Sequence, residues 1–272
     1  MKTVNSLSGG KTSSYIAIHY PADYNVFALV HSDDPLTSPR DKGLQKKVSD
    51  KINFDFVGTL EADETLQVIF DLEQRIGREI IWVTGKSFDK VISDSKAIPN
   101  KMWRFCTTEM KMVPIFDWWL QNVGEKVSMR IGFRLDEFQR AEKFTTSMKY
   151  RRSQKLTGQK RYEWDEIEWR VGEFPLIDDR ITIKDIVMYW KDDPMPFPNS
   201  SNCVGCFWKS DYELRQNWDE YPEKMEWFAR MEREKGATFK TGITYDQILS
   251  TPKQTEMFFG GGSCQSDGYC TD

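Results

Sequence analysis

The chain has 272 residues, of which 39% are hydrophobic and 14% aromatic. So many large apolar side chains exclude an intrinsically disordered protein and predict a buried core. The formal net charge is −4, so the charge of the whole molecule does not indicate a nucleic-acid-binding or membrane-binding protein. Apolar runs fall short of the roughly 18 residues of a transmembrane helix, and the first residues lack the apolar core of a secretory signal. We therefore expect a cytoplasmic protein with no membrane partner.

Strands and helices alternate along the first half of the chain. Strands are predicted over residues 2–7, 25–31, 54–59, 79–84 and 126–133. Helices, recognised by apolar residues at helical spacing, are predicted directly after residue 13 and over residues 41–52, 61–76, 86–95 and 107–122. This alternation predicts an α/β fold around a mostly parallel sheet.

The pattern is less regular after residue 140. Helices are predicted over residues 183–190, with Thr182 as the N-cap, and over residues 212–218 and 222–235. Residues 193–201 contain three prolines and predict a break, and the glycine-rich tail from residue 259 is expected to be flexible. We therefore expect an α/β domain over residues 1–140 and a smaller, mainly helical part over residues 141–272 that completes the edge of the sheet.

The segment between the first strand and the first helix is rich in glycine and hydroxyl groups. It reads Ser8-Gly9-Gly10-Lys11-Thr12-Ser13. Two glycines let the backbone turn tightly and present N–H groups to an anion, and the helix N-terminus adds partial positive charge. A Walker A motif would need another glycine at position 5, where Asn5 stands. The segment predicts a phosphate-binding loop of another type, with an ordinary strand-to-helix turn as the alternative.

This loop resembles the Ser-Gly-Gly-x-[Asp/Thr]-Ser pyrophosphate loop (PP-loop) of the adenine nucleotide α-hydrolase superfamily, which includes N-type ATP pyrophosphatases and phosphoadenosine phosphosulfate (PAPS) reductases. Later segments resemble the PAPS-reductase-like branch in the same order along nearly the whole chain. They are Arg104-Phe105-Cys106-Thr107-Thr108-Glu109-Met110-Lys111 with Pro114, Gly132-Phe133-Arg134-Leu135-Asp136-Glu137 with Arg140, and Phe174-Pro175-Leu176-Ile177-Asp178 followed by Asp185-Ile186. Asn202-Cys203-Val204-Gly205-Cys206-Phe207 and the terminal Cys270-Thr271-Asp272 resemble the paired and terminal cysteines of reductase-like proteins of phages and bacteria.

The resemblance implies a Rossmann-like sheet, with helices on both faces, that binds ATP or PAPS together with Mg²⁺ and holds the phosphates over residues 8–13. The other residues that it implies for nucleotide binding are Arg104, Lys111, Gly132, Arg134, Glu137 and Arg140. Guanidinium groups can clamp phosphate or sulfate through paired hydrogen bonds. The residues expected to take part in catalysis are Lys11, Arg134 and Cys264. Surface salt bridges with Glu137 or Glu142 are the alternative for the two arginines, Arg134 and Arg140.

The five cysteines form an odd set in a chain without a secretory signal, which favours metal or redox chemistry over a disulfide framework. Cys203 and Cys206 are two residues apart, a spacing that lets one turn present both thiolates to one ion or cluster. The resemblance implies a [4Fe-4S] cluster bound by Cys106, Cys203, Cys206 and Cys270. Zinc bound by Cys203, Cys206, Cys264 and Cys270 is an alternative, and cysteines without a ligand are another.

The resemblance implies one of two activities. In ATP-using relatives a substrate oxygen attacks the α-phosphate, and a cluster or persulfide can then deliver sulfur from a sulfur donor. In sulfonucleotide reductases a tail cysteine, here Cys264 or Cys270, attacks the sulfur of the nucleotide-bound sulfate, and a thioredoxin-like protein is the reductant. The reductase tail Glu-Cys-Gly-[Ile/Leu]-His is absent and no histidine follows His31, which favours the first activity. A zinc-stabilised module that binds nucleotide or nucleic acid without turnover is the third alternative.

A basic segment over residues 149–161 stands out against the acidic whole. Its cations are Lys149, Arg151, Arg152, Lys155, Lys160 and Arg161. An exposed loop or a weak hairpin is predicted here. The segment is a candidate contact for a nucleic-acid backbone, and a solvated loop neutralised by Glu163, Asp165 and Glu166 is the alternative. A homodimer is a further open alternative.

Overall fold

The computed structural model describes residues 1–156, 159–200 and 202–252, and for residues 151–156 and 159–163 the backbone alone. The strands are β1 (Thr3–Leu7), β2 (Tyr24–Ala28), β3 (His31–Ser32), β4 (Gly58–Thr59), β5 (Ile80–Val83), β6 (Val127–Arg130), β7 (Ser147–Leu156), β8 (Gln159–Glu168) and β9 (Arg170–Glu173). The helices are α1 (Lys11–His19), α2 (Lys42–Ile52), α3 (Asp63–Ile76), α4 (Phe88–Ser95), α5 (Phe105–Thr107), α6 (Val113–Asn122), α7 (Phe138–Ala141), α8 (Pro175–Asp178), α9 (Ile183–Tyr189), α10 (Asp211–Glu220), α11 (Pro222–Lys235) and α12 (Tyr245–Ser250).

Five strands form one parallel sheet in the order β5-β2-β1-β6-β9. The chain starts in the middle with β1, builds β2 and β5 on one side, and then returns to build β6 and β9 on the other. Such a reversal of strand order leaves a crevice between the loops at the carboxyl ends of the two strands where it occurs, here β1 and β6, and open α/β sheets bind their ligands at this place.

Helices cover both faces of this sheet. On one face, α1, α2 and α3 bury Ala17, Val48 and Leu66 against Phe27 and Ile80 of the sheet. On the other face, α6 buries its aromatic side against the sheet. That cluster contains Phe116, Trp119, Val4, Val26 and Met129. The predicted α/β fold class is therefore confirmed, and no helix among the described residues is long and apolar enough to cross a membrane.

The helices α10, α11 and α12 form a further layer that packs against the α/β part. Phe228 on α11 and Phe88 on α4 belong to one buried cluster together with Val30, which follows β2. Lys224 on α11 donates hydrogen bonds to the backbone oxygen of Glu61 at 2.6 Å and to Asp63 Oδ1 at 2.6 Å. The two parts of the chain therefore share a core and a buried ion pair.

The predicted strand over residues 54–59 is wrong for most of its length. Only β4 forms there, and it pairs antiparallel with β3 outside the main sheet. The side-chain amide of Gln45 on α2 donates to the backbone oxygens of Phe56 at 2.9 Å and Val57 at 2.8 Å. A side chain thus takes the carbonyl groups that a neighbouring strand would need. The predicted strand over residues 25–31 is also divided, because β2 ends at Ala28.

The predicted helix over residues 107–122 begins earlier, at Phe105, and contains a π-helical turn over Thr108–Met112. Pro114 stands directly after this turn, in the first turn of α6. Proline has no N–H to donate and its ring clashes with the carbonyl one turn earlier, and a wider turn relieves that clash. The local widening therefore has its cause in the sequence.

Of the two alternatives for residues 149–161, the structure shows the hairpin. Strands β7 and β8 pair antiparallel from Ser147 opposite Glu168 to Leu156 opposite Gln159. The hairpin is inserted between β6 and β9, and the Trp169 N–H closes its base by donating to the backbone oxygen of Thr146 at 3.2 Å.

Candidate functional site

The loop after β1 is shaped by its packing against α3. Gly9 has a φ of 70°, in the left-handed region that favours glycine. A Cβ at this position would lie 2.6 Å from Cγ2 of Thr65 and 3.1 Å from its backbone oxygen, so the packing leaves no room for a side chain. Gly10 is the N-cap of α1 and brings no side chain to the end of that helix. An anion can therefore approach the N–H groups of its first turn.

Two serines hold the loop in this shape. The Ser13 hydroxyl donates to the backbone oxygen of Gly10 at 3.1 Å and accepts the backbone N–H of Ser8 at 3.2 Å. The two hydroxyl oxygens lie 3.2 Å apart. Ser13 is buried, so its hydroxyl stabilises the loop from inside.

The chain leaving β6 meets this loop. A Cβ at Gly132 would lie 3.2 Å from Cγ2 of Thr12 and 3.6 Å from the backbone nitrogen of Ser13. Arg134 Nη1 donates to Thr12 Oγ1 at 3.1 Å. The structure therefore brings together four residues that the sequence singled out, from two segments more than a hundred residues apart, at the reversal of strand order.

The Arg134 guanidinium is buried and its charge is compensated. It forms ion pairs with Asp136 at 3.1 Å and Glu137 at 2.9 Å. Arg140 pairs with the other oxygen of Glu137 at 2.5 Å and lies 4.5 Å from the ring centre of Phe133. The salt bridge to Glu137 was the alternative expected from the sequence, whereas Asp136 was missed as a partner. Arg134 thus supports the loop through its hydrogen bond to Thr12. A bound phosphate would have to share the positive charge of Arg134 with the carboxylates of Asp136 and Glu137.

Lys11 lies at the start of α1 with an exposed side chain. Its Nζ lies 6.0 Å from the ring centre of Phe197, and the Trp190 indole N–H donates to its backbone oxygen at 2.9 Å. Sequence reasoning missed Trp190 as a partner of the loop. The usable signal was a tryptophan at the end of a predicted helix, because a buried indole needs a hydrogen-bond acceptor.

Three cysteines line a single cavity: Cys106, Cys203 and Cys206. Cys106 lies in α5, and the other two lie in a turn in which the Cys206 N–H donates to the backbone oxygen of Cys203 at 3.1 Å. A Cβ at Gly205, inside this turn, would overlap the ring of Phe228 on α11. Close packing of the turn on α11 therefore fixes where the cysteine pair lies.

Two cations predicted to bind the nucleotide, Arg104 and Lys111, line the same cavity. The Arg104 guanidinium lies 5.4 Å from the ring centre of Trp208, and its buried Nε has no hydrogen-bond partner among the described residues. Lys111 Nζ pairs with Glu61 Oε1 at 3.2 Å. The other oxygen of this buried carboxylate, Oε2, also has no partner within the described part of the chain. The structure thus groups these two cations with the thiols.

Burial raises the pKa of the Cys106 thiol, and the hydrogen bond with Thr107 acts in the opposite direction. Burial also raises the pKa of the Cys203 thiol. The negative charge of Glu61 raises this pKa further, whereas the positive charge of Lys111 lowers it. Both thiols are therefore protonated at neutral pH when no metal is bound. A metal ion or cluster binds thiolates, so it would have to displace these protons.

The side chains around the cysteine cavity offer only part of the donor set that a metal needs. Over residues 1–156, 159–200 and 202–252, no three His, Cys, Asp or Glu side chains are gathered closely enough to hold a metal ion. Three thiols on one cavity are nevertheless the type of donor that an iron–sulfur cluster uses, and Arg104 and Lys111 could offset the negative charge of its ligands. Cys264, predicted for catalysis, and Cys270, predicted as a ligand, lie outside the described residues. Both the cluster and the zinc assignments remain predictions.

No protein-family model matches the chain, and a comparison with curated proteins gives no match either. The resemblance to the PP-loop superfamily therefore remains a hypothesis that depends on the motifs. The geometry adds that several of these motifs converge at two places, the loop after β1 and the cysteine cavity.

Proposed function

We propose that the protein is a PP-loop enzyme that binds an adenine nucleotide and acts at the α-phosphate of ATP or on the sulfonucleotide PAPS. The observation that carries this proposal is the meeting of the loop after β1 with Gly132 and Arg134 after β6. This is the place where open parallel sheets bind nucleotides. The amino end of α1 and Lys11 offer N–H groups and a positive charge to the phosphates.

In the ATP reaction a substrate oxygen forms a bond to the α-phosphorus. The bond from the α-phosphorus to its bridging oxygen breaks, and pyrophosphate leaves with that electron pair. The N–H groups at the start of α1 and the Lys11 ammonium bind the leaving pyrophosphate, whose charge Mg²⁺ also neutralises when bound. Arg134 positions the loop through its hydrogen bond to Thr12.

The cysteine cavity supplies the second half of the proposal. Cys106, Cys203 and Cys206, with Cys270 as the fourth ligand, would hold a [4Fe-4S] cluster. Such a cluster, when bound, supplies an electron or a binding site for sulfur. Arg104 and Lys111 on the same cavity would stabilise the negative charge of the thiolate ligands.

Nucleotide binding is tested by calorimetry with ATP and with PAPS. Gly10→Asp places a carboxylate where the anion binds, and we expect it to abolish binding because like charges repel at close range. Gly77→Asp, which adds the same charge after α3, is the matched control and should bind like the unmodified protein. Unchanged binding by Gly10→Asp would show that the loop is not the phosphate site.

The reaction and the metal are tested separately. A brown anaerobic preparation that absorbs near ~400 nm would support the cluster and exclude zinc. Pyrophosphate release from ATP would support the α-phosphate reaction. Sulfite release from PAPS with thioredoxin, lost in Cys264→Ala or Cys270→Ala, would instead assign a PAPS reductase. Nucleotide binding without release of either product would indicate the zinc-stabilised binding module.

A further inference from the structure

The hairpin of β7 and β8 is a second feature that could bind a ligand. Each strand has ten residues, and ten residue pairs connect them. The hairpin segment is basic, although the protein as a whole carries a net negative charge. Residues 151–164 contain five cations, Arg151, Arg152, Lys155, Lys160 and Arg161, against the single carboxylate of Glu163.

The described side chains at the base show which residues share each face of the hairpin. Met148 is buried in the cluster around α6, Tyr150 has its ring centre 5.4 Å from that of Phe116, and Ile167 packs against the same cluster. The alternate positions are exposed: the Lys149 side chain is 72% exposed and Trp164 is 64% exposed. One face of the hairpin therefore packs on α6, and the other is open to solvent.

Residues alternate between the two faces of a strand, so the register places further residues in line with Lys149 and Trp164 toward the turn. Three opposed pairs follow on this face: Arg151 with Trp164, Ser153 with Tyr162, and Lys155 with Lys160. They comprise three cations, two aromatic residues and a serine, with no carboxylate. The acidic residues of the open face, Glu166 and Glu168, stand at the base, where Lys149 Nζ lies 3.8 Å from Glu166 Oε2.

We propose that this open face binds single-stranded nucleic acid. Cations at alternate positions along these strands can neutralise backbone phosphates, and the aromatic residues at the register positions between them, Trp164 and Tyr162, can stack on unpaired bases. The bases of a duplex already stack on one another, so Trp164 and Tyr162 favour a single strand, whose bases are free to stack on aromatic rings. This surface goes beyond the proposed function and does not depend on it, because it uses none of the residues assigned to the nucleotide or to the metal.

The probe is a fluorescein-labelled 20-nucleotide oligo(dT), with binding followed by anisotropy between about 50 and 200 mM NaCl. Arg151→Ala/Lys155→Ala/Lys160→Ala should weaken binding at least about tenfold and reduce the slope of log K against log salt by about 2, because each phosphate contact contributes about 0.7. Trp164→Ala should weaken binding about tenfold through lost stacking, while Trp164→Phe should retain most of it.

Lys46→Ala/Lys47→Ala/Lys184→Ala removes the same charge at exposed positions outside the hairpin and is the matched control. Circular dichroism and thermal unfolding show whether each variant is folded. Three results would overturn the proposal: no saturable binding of oligo(dT) at the lowest salt, equal weakening by the two triple variants, or tighter binding of a 20-base-pair duplex. The last result would assign the surface to double-stranded DNA.

Discussion

Arg134 is a buried cation whose charge is balanced by two carboxylates of the same turn. The motif indicates a guanidinium that faces phosphate. In the structure the side chain is 7% exposed and pairs with Asp136 and Glu137, while one nitrogen reaches Thr12. Burying an arginine requires paired carboxylates, and these carboxylates lie two and three residues further along the same turn. Local spacing therefore could have predicted this network.

Gly9→Ala should destabilise the protein by about 2–4 kcal/mol. The new methyl group would overlap Thr65, and the left-handed backbone is unfavourable for alanine. Urea unfolding measures the change in the free energy of unfolding. Gly77→Ala is the control, since it has a φ of 60° but open space around it, and it should cost only about 1 kcal/mol. Equal losses in the two variants would contradict the close packing of the loop on α3.

His31 should make the free energy of unfolding depend on pH. Burial lowers the pKa of this imidazole, although Asp33 and Asp89 raise it, and Thr84 Oγ1 lies 2.7 Å from its Nδ1. The unfolded chain takes up a proton near pH 6.5, so the stabilisation is complete above that pH and is lost as the pH falls through the lower folded value.

His31→Gln should therefore lose less stability than the unmodified protein between pH 7 and pH 5 in urea unfolding. The variant removes only part of the effect, because the pKa of His19 is also lowered by burial. If the free energy of unfolding fell by the same amount in His31→Gln and in the unmodified protein between these two pH values, His31 would have the same pKa in the folded and unfolded states.

Whole elements were predictable where the signal is local. Helix α2 begins one residue after its predicted start, at Lys42, where the Asp41 carboxylate accepts the N–H of Gly43 at 2.7 Å. Thr182 begins α9 as its N-cap, as the sequence predicts. The strand predicted over residues 54–59 does not form along most of its length, because Gln45, a residue of helix α2, donates a hydrogen bond to one of its backbone oxygens. The pattern of apolar residues predicts which residues are buried, but it does not predict which donor forms a hydrogen bond with each backbone oxygen.

The cysteine turn should be sensitive to one methyl group. Gly205→Ala would place a Cβ 2.3 Å from Cδ2 of Phe228, and overpacking of this kind costs about 1–3 kcal/mol. Because the turn would move, the cluster proposed for this cavity should bind less well, and the metal content of the anaerobic protein should fall. Urea unfolding and metal analysis provide the two measurements. Gly236→Ala, at a position with open space but a φ of 61°, is the control; it should cost only about 1 kcal/mol and leave the metal content unchanged. A fall in metal content in both variants would contradict the packing argument.

At the scale of the whole molecule, the sequence predicts the sheet and the loop but does not show which motifs meet. The approach of Gly132 to Thr12 follows from the pairing of β1 with β6. Likewise, Cys106 and Cys203 line one cavity because the turn after residue 202 packs beside the end of β4, where the Val204 N–H donates to the backbone oxygen of Leu60 at 2.7 Å. Such pairings depend on tertiary packing, for which a single sequence carries no direct signal.

The two parts of the chain should unfold together. Lys224 is buried between α11 and the start of α3, and burial lowers its pKa while Asp63 raises it. Lys224→Met leaves the Asp63 carboxylate without its cation and the Glu61 backbone oxygen without this donor, which should cost about 3 kcal/mol. Adding Asp63→Asn should recover part of this loss. Urea unfolding followed by tryptophan fluorescence and by circular dichroism should give coincident transitions, and separate transitions would contradict the shared core.

The central position of β1 has a consequence for biosynthesis. One of its neighbours, β2, follows after the single helix α1, whereas the other, β6, is translated long after β5. At about 5–20 residues per second, several seconds pass between the two events. During this interval the strand that ends in the middle of the finished sheet has an unpaired backbone edge, and such edges invite pairing with other nascent chains. Newly made protein is therefore exposed to aggregation until β6, at Val127–Arg130, has left the ribosome.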